Sequence, residues 1–275
     1  MKRRMNKLIL TAALATLLVS GGLFADEPVF DPNFHIYLLI GQSNMEGAPR
    51  AEAADLVEDP RIKVLAYQNN VRLGRKYNEW AVAKPPLHSH YQGVGPGDYF
   101  AKTLIKKMPA NVTIGLVPLG INGVDIDFFL KGVVSTRRAE FKIPPDNAWD
   151  GAYDWVISRA KEAQKYGVIK GILFHQGESD SGKRNWQAKV KKMVEALRAD
   201  LNIPDAPIII GEMMHGGGAE SHNLIVANTV KSTPNAWLVT TEGLAGQDRW
   251  HFNLEAQREL GRRYALKMME ALGIE

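Results

Sequence analysis

The sequence contains one serine, one histidine and one aspartate at positions suited to nucleophilic catalysis. Ser43 follows an apolar run that stops at Gly41, and Asp248 lies three residues before His251. A serine hydroxyl becomes an effective nucleophile when a base takes its proton, and the base must be oriented by a third group. One turn of chain can bring a carboxylate to an imidazole at this spacing. We therefore predict Ser43 as the nucleophile, His251 as the base and Asp248 as the orienting acid.

A serine that attacks a carbonyl group also needs hydrogen-bond donors where negative charge develops. The backbone N–H groups of Ser43 and Gly123 suit this role, because glycine allows close approach of the backbone. The side-chain amide of Gln176, directly after an apolar run, is a third predicted donor. Considered singly, Gly123 is an ordinary turn residue and Gln176 an ordinary loop side chain. The prediction depends on their combination with Ser43.

Two further residues near these segments are candidates for the site. Glu178 is either a second acid for His251, supplementing or replacing Asp248, or a structural carboxylate that holds its loop by backbone hydrogen bonds. Trp250 lies between Asp248 and His251 and is the best candidate for an aromatic platform under a sugar ring. Buried aromatic residues are commoner than such platforms.

These residues need a scaffold that brings distant segments to one edge. Apolar runs typical of buried strands cover 34–40, 112–117, 168–174, 207–210 and 236–240, with a weaker one at 62–67. Helical spacing alternates with them at 96–107, 148–166, 185–201, 222–231 and 253–272. This alternation predicts βαβ units and a mainly parallel sheet. The candidate residues follow strand ends, and such loops are neighbours at the carboxyl edge of the sheet.

The first 25 residues are typical of an export signal. Four basic residues precede an apolar run of about a dozen residues at 8–19, and the small residue Ala25 follows. The run is short for a bilayer span, which needs about 20 residues. We predict a signal peptide over 1–25 and a single domain over 26–275, in a secreted or periplasmic protein.

The chain without this leader is formally neutral. The full sequence has 34 Lys and Arg against 30 Asp and Glu, and the leader holds four of the basic residues and none of the acidic ones. A neutral protein is a poor candidate for binding nucleic acid, which favours a basic stripe. The sequence has no cysteine, which excludes disulfides and thiolate sites. We expect no nucleic-acid partner, and no membrane association after the leader is removed.

Taken together, three motifs resemble those of SGNH-type carbohydrate esterases. They are Gly41-Gln42-Ser43-Asn44-Met45-Glu46-Gly47, His175-Gln176-Gly177-Glu178-Ser179-Asp180 and Asp248-x-x-His251-Phe252-Asn253. The resemblance is to the branch that contains sialate O-acetylesterases and the acetyl xylan esterases of carbohydrate esterase family six. The resemblance implies a flavodoxin-like, three-layer α/β/α sandwich with a mainly parallel five-stranded sheet. It also implies metal-free ester hydrolysis without a cofactor, through an acyl-enzyme on Ser43.

The chain departs from the family pattern at one point. Where members usually have a Gly-Gly pair in the second block, this sequence has Asn122-Gly123. Asn122 becomes a candidate to reach the site and contact the substrate itself.

The resemblance implies a substrate class, and two other classes of function stay open. An esterase of this branch removes acetyl groups from carbohydrate, and we favour acetylated xylan or a related plant polysaccharide over sialic acid. A glycosidase would instead use a carboxylate pair, such as Glu178 with Asp180 or Glu212. A non-catalytic sugar-binding protein would need no set of serine, histidine and aspartate.

Overall fold

Seven strands form the central sheet in the computed structural model, which describes residues 28–134, 143–144 and 149–275. They are β1 (Phe34–Gly41), β2 (Ile62–Leu65), β3 (Trp80–Val82), β4 (Thr113–Gly120), β5 (Val168–His175), β6 (Ile208–Gly211) and β7 (Ala236–Val239). Their order across the sheet is β3-β2-β4-β1-β5-β6-β7. β1 is therefore central, between β4 and β5. The predicted leader at 1–25 lies outside the described residues.

The sheet is α/β and mainly parallel, as predicted, but it has seven strands where five were expected. The weak run at 62–67 forms β2, which pairs in parallel with β4. β3 is a three-residue edge strand that pairs antiparallel with β2. Three residues are too few to give a strand pattern of their own, so the extended conformation of β3 comes from that pairing.

The α-helices of the described ranges agree with the predicted helical segments. They are α1 (Ser43–Glu46), α2 (Pro96–Leu104), α3 (Ala152–Gln164), α4 (Trp186–Asp200), α5 (Asn223–Ser232) and α6 (Leu254–Leu272). The short α1 was predicted as a turn, and the other five correspond to the five predicted segments. Within the described part of the chain, none of these helices is both long enough and apolar enough to cross a membrane.

Alternation along β1 divides the core into two layers. Ile36, Leu38 and Ile40 pack in one cluster with residues of α3 and α4. Tyr37 and Leu39 pack in the other cluster with residues of α2 and α6. A strand that is apolar on both faces has to be covered on both faces. The result is the three-layer α/β/α sandwich.

A buried ion pair fastens α6 to the loop that follows α1. Arg258 donates to the two carboxylate oxygens of Asp55 at 2.9 and 2.8 Å, and Asp55 is fully buried. The hydroxyl of Tyr99 donates to the same carboxylate at 2.8 Å. Burial acts to raise the pKa of Asp55, but these hydrogen bonds outweigh it and hold the pKa below its ordinary value. The pair therefore fixes the helix that begins three residues after His251.

We expect Arg258→Met to lower the free energy of unfolding by about 3 kcal/mol at neutral pH, because it leaves the Asp55 carboxylate buried without its partner. The pKa of Asp55 is lowered in the folded protein. Its contribution to stability is therefore complete above the unfolded pKa of about 4 and is lost as the pH falls through the folded value. The difference between wild type and variant should shrink in acid, as measured by urea unfolding across pH.

The matched control for this variant is Arg262→Met on the same helix. Arg262 pairs with Glu259 at 3.2 Å, and both side chains are more than a third exposed. Exposed pairs contribute little, so this change should cost less than about 1 kcal/mol. A cost for Arg258→Met that stays constant into acid would contradict the assignment to Asp55.

Candidate active site

The carboxyl end of β1 positions Ser43. A Cβ atom at Gly41 would lie 2.1 Å from the carbonyl oxygen of His175, so β1 and β5 can approach this closely only with glycine there. The chain then turns, and the carbonyl of Gln42 accepts two N–H groups of α1 at 2.8 and 3.0 Å. Ser43 is the first residue of this short helix and is anchored directly beyond the sheet edge.

A continuous hydrogen-bonded chain joins Ser43, His251 and Asp248. The Oγ of Ser43 lies 3.1 Å from Nε2 of His251. The Nδ1 of His251 lies 2.9 Å from Oδ2 of Asp248. When Nδ1 donates to the carboxylate, Nε2 is free to accept a proton from the hydroxyl. The arrangement has the geometry of a nucleophile, a base and an orienting acid.

The Asp248 carboxylate is held by its own loop. Its Oδ1 accepts the N–H groups of Trp250 and His251 at 2.7 and 2.8 Å. Burial acts to raise the pKa of Asp248, but the hydrogen bonds from the His251 ring and from these two N–H groups outweigh it. The pKa of Asp248 therefore lies below its ordinary value. The carboxylate stays ionised at neutral pH and keeps His251 in the tautomer that leaves Nε2 free.

Two backbone N–H groups beside this chain are available to a ligand. The N–H groups of Ser43 and Gly123 make no hydrogen bond to any group of the described residues. Gly123 has a φ of +73°, and its carbonyl accepts the Ser179 hydroxyl at 3.1 Å, which fixes the turn. The neighbouring Asn122 is exposed and lines the same cavity as Ser43 and Gly123.

The amide of Gln176 is engaged elsewhere, contrary to the prediction that it donates to the oxyanion. The side chain is fully buried. Its Nε2 lies within hydrogen-bond distance of Gln42 Oε1 at 3.1 Å, Asp180 Oδ2 at 2.7 Å and a backbone carbonyl at 3.2 Å. Its Oε1 accepts the Trp186 indole N–H at 2.6 Å. An amide nitrogen has two hydrogens, so three protein acceptors leave none for a substrate.

Asn44 joins the nucleophile turn to the loop that carries His251. Its Nδ2 donates to Oε1 of Glu178 at 2.5 Å and to the carbonyl of Trp250 at 2.9 Å. Its Oδ1 accepts the N–H of Phe252 at 3.2 Å. Asn44 therefore holds the residues on both sides of His251.

Glu178 lines the cavity and accepts a hydrogen bond from Asn44, and among the described residues no hydrogen bond joins it to His251. Burial raises the pKa of Glu178, while the hydrogen bond from Asn44 opposes that shift. The other two carboxylates of the glycosidase alternative do not line the cavity. Asp180 accepts the N–H of Ile126 and the amide of Gln176, and Glu212 accepts the hydroxyl of Thr240. Of the carboxylates proposed for a glycosidase, Glu178 alone therefore lines this cavity.

A cavity of about 260 Å³ opens over the Ser43 hydroxyl. It is lined by Gln42, Ser43, Asn122, Gly123, Glu178, Ser179, Trp250 and His251. Trp250 is 41% exposed. A Cβ atom at Gly218 would lie 2.5 Å from the indole ring of Trp250, so the ring can approach this loop closely only with glycine there. Most of these lining residues have polar side chains, and they include one aromatic ring and one carboxylate.

Comparison with known proteins assigns this chain to a family. The profile of the family described as carbohydrate esterase, sialic acid-specific acetylesterase, matches residues 33–270. The chain belongs to this family. It is therefore a carbohydrate acetylesterase, and the resemblance drawn from the three motifs is confirmed.

Individual relatives agree with the family assignment. The probable carbohydrate esterase At4g34215 of Arabidopsis thaliana is 27% identical over 259 residues, which cover 84% of this esterase and 88% of the relative. The X-ray structure of that protein matches with a TM-score of 0.71 at 26% identity, over 87% of this chain and 99% of that chain. NanS shares the fold, with a TM-score of 0.69 at 20% identity, over 90% of this chain and 100% of that chain.

Asn44 is the site residue of this esterase that sequence reasoning missed. The sequence signal that could have identified it is a polar residue between Ser43 and the apolar Met45. A buried amide at such a position must find hydrogen-bond partners. Those partners lie 134 to 208 residues further along the chain. Their identity becomes visible only when the fold brings the loops together.

We expect Asn44→Ala to lower the kcat of the esterase by roughly tenfold to a hundredfold while KM changes by less than about threefold. Asn44 positions the His251 loop and does not line the cavity. Steady-state kinetics on a chromogenic acetate ester measure both constants.

The control is Gln164→Ala, which removes an amide hydrogen bond to a backbone carbonyl away from the cavity, from Gln164 to Leu201 at 2.9 Å. It leaves the His251 loop intact, so kcat should stay within about twofold of wild type. Equal losses in the two variants would contradict a specific role for Asn44.

Proposed function

We propose that the protein is an exported serine esterase that removes acetyl groups from a neutral polysaccharide, such as acetylated xylan, through an acetyl-Ser43 intermediate. The observation that carries the proposal is the hydrogen-bonded chain from Ser43 through His251 to Asp248 at the floor of the cavity. The basic head and apolar run of residues 1–25 support export.

The proposed reaction has two half-reactions. In the first, Oγ of Ser43 attacks the acetyl carbonyl carbon while Nε2 of His251 takes the hydroxyl proton. The oxyanion forms against the N–H groups of Ser43 and Gly123. When the tetrahedral intermediate collapses, His251 returns the proton to the sugar oxygen, which leaves as an alcohol. In the second, His251 takes a proton from water as the water oxygen attacks the acetyl-serine. The proton then returns to Ser43 Oγ and acetic acid leaves, which ionises to acetate in solution.

Asp248 is the proposed orienting acid, and Glu178 is proposed to act through Asn44. The support is geometric, because Nδ1 of His251 has its 2.9 Å hydrogen bond with Asp248. The carboxylate of Glu178 instead accepts from Asn44. Asn122, exposed at the rim, is a proposed contact for the substrate, as is the exposed ring of Trp250.

The charge of the cavity supports a neutral substrate. Its lining residues include the carboxylate of Glu178 but no lysine or arginine. A sialic acid carries its own carboxylate. On these walls it would find no cation and would lose its hydration next to the carboxyl group of Glu178, which costs free energy. The sugars of acetylated xylan that carry the acetyl groups have no such charge. Xylan is therefore the favoured substrate class.

One cation near the cavity favours a second candidate, a sialate O-acetylesterase. The guanidinium of Arg249 lies 5.4 Å from the centre of the Trp250 ring, and Arg249 is exposed. A substrate carboxylate that extended past Trp250 would reach it. In that case Arg249→Ala would raise KM for O-acetylated sialic acid and leave KM for acetylated xylan unchanged.

We expect the wild-type protein to release acetate from acetylated xylan and Ser43→Ala to lose roughly a thousandfold or more of that activity. Enzymatic detection of acetate measures both. The control is Ser179→Ala. It removes a second hydroxyl of the cavity, which donates to the carbonyl of Gly123 and not to His251. This variant should keep at least about a tenth of the activity. Equal release by Ser43→Ala would remove Ser43 as nucleophile. Release from O-acetylated sialic acid alone would select the second candidate.

Asp248→Asn and Glu178→Gln distinguish the two carboxylates. We expect Asp248→Asn to lower kcat by roughly a hundredfold or more, because the His251 tautomer is no longer fixed. Glu178→Gln should cost less than about tenfold, since the amide can still accept from Asn44. Steady-state kinetics on the same acetate ester measure both. The reverse order of losses would make Glu178 the main partner of His251.

A further inference from the structure

A second concave site lies at the edge of the sheet opposite to Ser43. It occupies about 360 Å³, compared with about 260 Å³ for the catalytic cavity. It is bounded by the first residues of β1 and β4 and by the residues that follow α3. We call it the aromatic groove, and its relevant lining residues are Asp31, Phe34, Lys63, Trp80, Thr113 and Tyr166. None of them takes part in the reaction proposed above.

Three aromatic rings form the apolar part of the aromatic groove. Phe34 and Trp80 meet edge to face, with ring centres 4.7 Å apart. Trp80 and Tyr166 also meet edge to face, at 6.3 Å. Such contacts fix the orientation of the rings in the absence of a ligand. A preformed aromatic surface suits the C–H face of a pyranose ring, because neither partner loses much conformational freedom on binding.

Three polar side chains surround these rings. Among the described residues, Nζ of Lys63 and the hydroxyl of Thr113 have no hydrogen-bond or ion-pair partner. The carboxylate of Asp31 accepts the nearby N–H of Asn33 at 2.8 Å and keeps acceptor capacity. The backbone N–H of Asp31 donates to the carbonyl of Tyr166 at 2.9 Å, which ties this acid to the aromatic wall.

The polar groups match the hydroxyls of a sugar. Each sugar hydroxyl both donates and accepts, so a carboxylate and an ammonium group can be satisfied by the same ligand. The acid and the amine also cancel in charge, which favours a neutral occupant over an anionic one. An acyl chain or an apolar peptide would leave all three polar groups without partners, at a cost in desolvation.

We propose that the aromatic groove is a second carbohydrate-binding site, which holds a neutral pyranose unit of the polysaccharide away from the catalytic cavity. The carbohydrate class of the ligand rests on the family of this esterase, and its neutral character rests on the proposed function. A chain held there keeps the enzyme on a polymer between turnovers without contributing to ester cleavage.

Binding is tested with xylohexaose and cellohexaose, in a Ser43→Ala background so that no hydrolysis intervenes. Isothermal titration calorimetry should show binding of at least one hexasaccharide. Tyr166→Ala should weaken it by about tenfold, the size of one lost aromatic contact with a sugar ring. The double change Asp31→Ala with Lys63→Ala, which removes one acid and one base, should weaken it similarly. Thermal unfolding checks that each variant is folded.

The control is Lys267→Ala with Glu270→Ala, an ion pair on α6 with the same balance of charge, which should not change the affinity. With Ser43 restored, both groove variants should hydrolyse a small chromogenic acetate at the wild-type rate. Unchanged binding in both groove variants, or no binding of either hexasaccharide by the parent, would overturn the proposal. Because these are binding measurements, they can fail while acetate release from acetylated xylan succeeds, and the reverse.

Discussion

The register of three parallel strands is the constraint on which the site depends. Gly41 at the end of β1 lies opposite Gly120 of β4 on one side and His175 of β5 on the other. Because the three strands end at one level, their following loops start side by side. A shift of one pair by a single residue would turn the side chains to the opposite face. Ser43, Gly123 and the loop of Glu178 meet because this register is fixed.

Buried polar contacts fix the positions of the loops that follow these strands. Asn44 and Gln176 each connect two loops, and each has both its donor and its acceptor engaged. Glu46, the last residue of α1, is also buried, and burial raises its pKa to about 8, although hydrogen bonds from Gln92 and the Asn122 N–H oppose the shift. A carboxyl group kept there links α1 to the loop after β4. Polar groups in such a layer must all be satisfied, which leaves little freedom to move the cavity walls.

Sequence patterns were sufficient for the features that depend on local composition. Apolar runs gave the strands, helical spacing gave the five long helices, and the D-x-x-H spacing brought Asp248 close to His251. Sequence patterns were insufficient where the conformation of a residue depends on partners far along the chain. The three residues of β3 are extended because β2 is beside them. The amide of Gln176 faces Asp180 and Gln42 because those acceptors are buried with it, and no local pattern distinguishes that direction from one facing the substrate.

The separation of Ser43 and His251 by 208 residues has a consequence for the folding of the chain. Contacts between such distant segments form slowly, because a long loop must close before they add stability. A polypeptide that has reached only β6 already contains the nucleophile candidate and its neighbouring loops but has no base. Incomplete chains that end at β6 would therefore be inert towards esters. Hydrolytic activity therefore requires the segment after β6 as directly as it requires Ser43.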